Sequence, residues 1–115
     1  MPWTIVLSEQ LKHLTTALGI SYEELAQVLG IDRKTVYRWL ADETFPQTGN
    51  RTHLDALEAL VDRLGETFKT EEGAVTWLHS DSGYFGGMRP VDALLRGRID
   101  AVDAALEALD SGVFV

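Results

Sequence analysis

The chain has 115 residues, 45% of them hydrophobic, a formal net charge of −8 and no cysteine. That length allows one domain or two very small ones, the apolar content suits a packed core and argues against disorder, and the lack of thiols excludes a disulfide framework and thiolate chemistry. No apolar run approaches membrane-spanning length and no secretory signal pattern opens the chain, so a cytoplasmic protein without a membrane partner is expected.

After an apolar lead-in, Met1–Leu7, the leucines at 7, 11, 14 and 18 fall at 4, 3, 4 spacing, which predicts a helix from about Ser8 to Leu18 that stops at Gly19. Ser21 with Glu24 three residues on is a capping box, so a second helix starts there and presents Leu25, Ala26, Val28 and Leu29 on one face. Gly30 suits the tight turn that ends it, Ile31 plugs the turn, and Asp32 caps a third helix with Val36, Trp39 and Leu40 inward. Arg33, Lys34, Tyr37 and Arg38 are left facing out. Two helices joined by a short glycine turn, the second with a basic outer face, form a helix-turn-helix arrangement. Small Ala26 lets the two helices cross closely. Residues near the start of a recognition helix meet base edges, which makes Arg33, Lys34, Thr35 and Arg38 the candidate base readers, with Tyr37 and Ser21 nearer phosphates.

Ala41–Asn50 reads as a loop in which Phe45 packs back on the preceding helices. Gln47, Thr48, Asn50 and Arg51 either touch phosphates or cap the next helix. That helix is predicted over Arg51–Phe68, with an apolar stripe of Leu54, Leu57, Val61, Leu64 and Phe68 widened by Leu60. Thr70 caps a shorter helix whose apolar content is Ala74, Val75, Trp77 and Leu78. A glycine-rich loop, Ser80–Arg89, carries Tyr84, Phe85 and Met88. Pro90 opens a helix over Val91–Arg96, and a final helix, Arg98–Asp110, aligns Ile99, Val102, Leu106 and Leu109. Gly112 ends it, and the chain finishes Val113, Phe114, Val115. No stretch has sustained period-2 alternation. The expected fold is all-α with about seven helices, a helix-turn-helix lobe over residues 1–50 and a small helical lobe over 51–115.

Charge is divided unevenly. Residues 1–53 hold five Lys/Arg against six Asp/Glu, and residues 54–115 hold five against twelve, so the acid lies away from the basic helix. Either two functions are segregated, or the acidic surface serves solubility alone.

Catalytic and metal chemistry find no foothold. The glycine loop follows no strand and precedes no Lys-Ser/Thr pair, so it fails as a phosphate loop. His13, His53 and His79 are far apart and outside any ligand motif. No nucleophile elbow exists. The expectation is a protein that is not an enzyme and has no cofactor or metal.

Glycines 86 and 87 let the backbone approach a partner closely, and Tyr84, Phe85 and Met88 are side-chain types favoured as interface anchors. Alternatively Phe85 fills the lobe's own core. The tail poses the same choice, because termini are usually polar and this one is not: Phe114 either folds back on the last helix or inserts into a partner.

The second half resembles the toxin-binding domain of the Xre/MbcA/ParS antitoxin family. The matching features are Trp77-Leu78, an apolar residue followed by Gly86-Gly87, Pro90 with Leu94-Leu95, Gly97, and a final helix with a Gly112-led tail. Ser21–Pro46 resembles the Xre-type helix-turn-helix that precedes this domain in the family, down to Trp39 and Pro46. The ending Gly112-Val113-Phe114-Val115 is most similar to antitoxins paired with RES-domain toxins, which deplete NAD. Asp81-Ser82-Gly83 stands where the family often has Pro-Asn, and Arg89 where Thr or Ser commonly precedes the proline. The resemblance implies a protein that binds a cognate toxin, blocks its active site and represses their shared operon. Tyr84, Phe85, Gly86, Gly87, Met88, Pro90 and Gly112–Val115 would carry the toxin contact, and operator DNA would be the other partner. A homodimer or a larger assembly with toxin would add affinity. The alternatives are a stand-alone regulator whose second lobe dimerises or senses a ligand, and a helix-turn-helix that serves protein contacts without DNA affinity.

Overall fold

A computed structural model describes residues 3–112, with side chains from Leu7 onward. Among the described residues there are seven α-helices and no strand: α1 (Trp3–Leu18), α2 (Tyr22–Leu29), α3 (Arg33–Leu40), α4 (Thr48–Thr67), α5 (Glu71–Leu78), α6 (Pro90–Leu95) and α7 (Ile99–Ser111). A short 3-10 turn, Gly83–Phe85, lies between α5 and α6. The all-helical expectation holds.

Helix α1 is the hub. Leu7, Leu11, Leu14 and Leu18 are buried along it, and it packs against α2, α3, α4 and α5. Its helix begins at Trp3, five residues before the predicted Ser8. Residues 3–7 contain no Gly or Pro, and the β-branched Ile5 and Val6 lower helix propensity only slightly.

The capping box at α2 forms as read from the sequence. Ser21 Oγ accepts from the Glu24 N–H at 3.0 Å, and Glu24 Oε1 accepts from the Ser21 N–H at 2.9 Å. Gly30 sits at φ 69°, where a side chain would be strained, and the Ile31 N–H returns to the Ala26 carbonyl at 3.0 Å. Asp32 Oδ1 accepts from the Lys34 N–H at 2.9 Å and starts α3. Val36 and Trp39 are buried and Leu40 packs against the core. Ala26, only 2% exposed, lies where α2 and α3 meet.

Helix α4 starts at Thr48, three residues earlier than predicted. Gly49 and Asn50 are poor helix formers, but they fall in the first turn, where backbone N–H groups lack intrahelical acceptors in any case. The Thr52 hydroxyl donates to the Thr48 carbonyl at 3.0 Å. Leu54, Leu57, Leu60 and Leu64 are buried on one side of α4. Thr70 caps α5 as expected, its Oγ1 accepting from the Gly73 N–H at 3.0 Å.

Two side chains depart from the sequence reading. Phe45, expected to fold back on the helices, is 58% exposed. Pro46 follows it and disfavours helical backbone at Phe45, so the ring borders Thr35, Arg38 and Trp39 of α3 without being enclosed by them. Leu109, expected in the α7 stripe, is 37% exposed. The buried line of α7 runs instead through Val102, Ala105 and Leu106. The last turn meets α4 by polar contacts, Arg63 to Glu107 at 2.7 Å and to Asp110 at 3.1 Å, with Thr67 Oγ1 donating to Asp110 at 3.1 Å.

One buried cluster runs from Leu7 to Leu106 and includes Val28 and Leu29 of α2 beside Val91 and Leu94 of α6. Helices α2 and α6 are in direct contact. No described helix is long and apolar enough to cross a membrane.

Candidate functional site

The α3 face is built by the turn chemistry that precedes it. With Val36 and Trp39 anchored in the core, Arg33, Lys34, Tyr37 and Arg38 stand exposed on the opposite side, and Thr35 is half-buried between. Ser21, at the start of α2, is exposed but already engaged in its capping box. Tyr37 is not free to turn. Its hydroxyl donates to Glu23 Oε2 at 2.5 Å, and its ring meets Tyr22 edge-on with centroids 6.2 Å apart. That hydrogen bond holds the Glu23 carboxyl below the ordinary carboxylate range and, conversely, raises the Tyr37 phenol. Glu23 was not legible as part of this face, because fourteen residues separate it from Tyr37. The exposed Phe45 closes a hollow of about 270 Å³ against Thr35, Arg38 and Trp39, with Gln47 and Asn50 at its edge. The face thus carries guanidinium and ammonium groups, a fixed phenol and an apolar ring, a combination suited to a phosphate backbone and base edges.

The second face gathers around the glycine loop. Ser82 closes it by donating its N–H to the Met88 carbonyl at 3.0 Å and accepting from the Gly87 N–H at 2.8 Å. Gly86 and Gly87 have φ of 66° and 94°, and a Cβ on either would meet nothing within 4 Å. The backbone here is open to close approach, and side chains would be strained there. Tyr84 and Met88 are exposed, while Phe85 leans on the core with its ring 5.2 Å from that of Tyr84. Pro90 is buried at the first turn of α6, so it sets the loop's position from below. Gly112 caps α7 at φ 73°, its N–H directed to the Ala108 and Leu109 carbonyls. Val113, Phe114 and Val115, the sharpest expectation for partner contact, lie outside the described residues.

Sequence reasoning treated the loop and the tail as separate segments. The structure brings the loop to α7: Tyr84 of the loop and Leu109 of α7 line one hollow of about 230 Å³, together with Trp77, Ala105 and the Ser80–Gly83 segment. Alternating apolar residues gave no sign that Trp77 and Leu109 reach the surface.

Arg89, a departure from the family pattern, acquires a role. The Asp92 carboxylate accepts from the Arg89 backbone N–H at 3.1 Å and from its guanidinium at 2.8 Å. The start of α6 is thereby capped from inside the helix rather than by a Ser or Thr ahead of it. The side-chain bond from Arg89 holds the Asp92 carboxyl below its ordinary value of 3.8. A carboxyl depressed in the folded state stabilises that state above its unfolded value, and the contribution is lost as pH falls through the folded value. Asp92→Asn is therefore expected to lower the melting temperature at neutral pH, with the gap to the parent closing below the ordinary carboxylate range. Thermal melts across that span check it.

Two of the three histidines make contacts between helices. His79 Nε2 is 3.1 Å from the Leu18 carbonyl, His13 is 3.9 Å from Glu58, and His53 is exposed. Among the described residues no three or more His, Cys, Asp or Glu side chains are placed to hold a metal ion. A further hollow, of about 550 Å³, lies between α1, α4 and α5 over Ala17, Val61, Leu64 and Phe68.

Comparison with known proteins finds a match in each half of the chain. Residues 9–44 match a homeodomain-like domain, and residues 63–112 match the antitoxin Xre/MbcA/ParS C-terminal toxin-binding domain. The mycobacterial cidal antitoxin MbcA of Mycobacterium tuberculosis is 29% identical over 110 residues, covering 96% of each chain. A probable mycobacterial cidal antitoxin of the same organism is 30% identical over 97 residues, covering 84% of this chain and 82% of its own. Among solved structures, a chain of the M. tuberculosis MbcT-MbcA toxin-antitoxin complex superimposes with a TM-score of 0.67 at 29% identity, covering 96% of this chain and 98% of that one.

Proposed function

This chain belongs to the Xre/MbcA/ParS antitoxin family, and we propose that it neutralises a cognate RES-domain, NAD-consuming toxin by occluding its active site while repressing their operon through α3. It acts by occupying surfaces, without chemistry of its own. The observation that carries the reading is that the likeness to MbcA spans both halves of the chain, and not the helix-turn-helix alone. On this reading residues 1–50 supply the DNA face and residues 51–115 the toxin face. Tyr84, Phe85, Gly86, Gly87 and Met88 meet the toxin from the loop, Pro90 fixes that loop, and Gly112 directs Val113–Val115 into the toxin's cleft.

The test is co-expression with the product of the adjacent reading frame. The expected result is a stable complex, growth arrest by the partner alone, and restoration of both growth and cellular NAD by this chain. A neighbour that is harmless and does not co-purify overturns the reading.

The DNA arm has its own test. Arg38 is exposed on the outer face of α3 and lines the Phe45 hollow. Arg38→Ala is expected to weaken operator binding by about 1–3 kcal/mol if its guanidinium reads a guanine. Mobility shifts over a range of salt concentrations check it, and parental affinity in the variant removes Arg38 from the interface. Few cations contact DNA per monomer, so tight repression draws on two or more copies held together by self-association or by toxin.

A further inference from the structure

Resting on the antitoxin reading, we infer that the hollow between Trp77, Tyr84, Ala105 and Leu109 is an anchor pocket that receives one apolar side chain of the toxin, flanked there by a basic one. Four observations place it. Leu109 is 37% exposed at a position where helical periodicity would bury it. Ala105 is 4% exposed, and its small side chain leaves depth beneath Leu109. Trp77 is half-buried, with its ring 5.7 Å from that of Phe68, so this wall is already backed by a second aromatic side chain. The volume of about 230 Å³, completed on its polar side by the Ser80–Gly83 segment, is ample for one aromatic or branched side chain, since a cavity of about 150 Å³ accommodates benzene. Preformed pockets lined by aromatic residues are where hot spots of binding energy concentrate.

The toxin fits this pocket better than a second copy of the chain. The pocket lies wholly within the 63–112 segment that matches the toxin-binding domain. It is lined by the start of the glycine loop and by Leu109, which stands three residues before Gly112 in the sequence. Its rim carries Asp81, and residues 54–115 hold twelve Asp/Glu against five Lys/Arg. Two such faces repel each other, whereas a basic partner is attracted.

Leu109→Asp tests the inference with the purified product of the adjacent reading frame as probe. Binding is expected to weaken at least about tenfold, with circular dichroism, melting temperature and operator affinity retained, while Leu109→Met binds as the parent does. A benzophenone side chain in place of Leu109 is expected to crosslink to the toxin, which keeps the test decisive should Leu109→Asp fold poorly. Parental affinity in Leu109→Asp, or crosslinks that join only two copies of this chain, overturns the pocket and leaves the antitoxin reading standing. A parent chain that does not bind the probe overturns that reading, and the pocket with it.

Discussion

Truncation after Gly112 is expected to weaken toxin binding by about five- to a hundredfold while operator affinity stays at the parental level. Val113, Phe114 and Val115 together offer about 6 kcal/mol of apolar transfer if fully buried. Ordering three tail residues costs about 3–5 kcal/mol when backbone and side chains are counted, and part of that loss is spared because Gly112 already fixes the chain's exit from α7. The surplus is about 1–3 kcal/mol, and 1.4 kcal/mol is a factor of ten. Titration of the toxin with full-length and truncated protein, read by calorimetry and by protection of NAD, checks this. Equal protection by the truncated form would remove the tail from the inhibitory mechanism and leave the glycine loop as its sole candidate.

The second large effect is on stability. Trp39→Ala is expected to cost about 3–5 kcal/mol, since the indole is 1% exposed and its removal leaves a cavity the surrounding helices close only in part. Against a total of about 5–15 kcal/mol for a domain of ordinary stability, the variant stands close to unfolding. The consequence reaches beyond α3. Trp39 belongs to the cluster that also holds Leu78, Leu94 and Leu106, so urea unfolding followed by circular dichroism is expected to remain a single transition with its midpoint moved down. Toxin binding is expected to fall together with DNA binding, although Trp39 lies in the first half of the chain. Loss of DNA binding with toxin affinity intact would mean that the halves unfold separately.

Local signals carried the fold far. The Ser21–Glu24 box, the Gly30 turn and the Asp32 and Thr70 caps each depend on atoms within three or four residues, so sequence spacing determines them. The positions that escaped depend on what lies across space. Leu109 has the right spacing for burial, but near the end of α7 the contact to α4 runs through Arg63, Thr67 and Asp110. Phe45 is apolar, yet it only borders α3 and stays 58% exposed. Glu23 and Tyr37, or Trp77 and Leu109, meet only because helices cross, and no pattern along the chain announces such a meeting. Tyr84 and Met88 stand exposed beside the loop glycines, whereas Phe85 leans on the core, a difference that residue type alone does not announce.

The seam between α2 and α6 has a further meaning for how such a molecule is disposed of. Val28 and Leu29 share their burial with Val91 and Leu94, so neither end has an independent hydrophobic interior on which to survive alone. A protease that unravels the chain from one terminus would erase the promoter lock and the enzyme stopper in a single act. On the function proposed above, derepression and toxin release would then share one clock, set by the lifetime of this polypeptide.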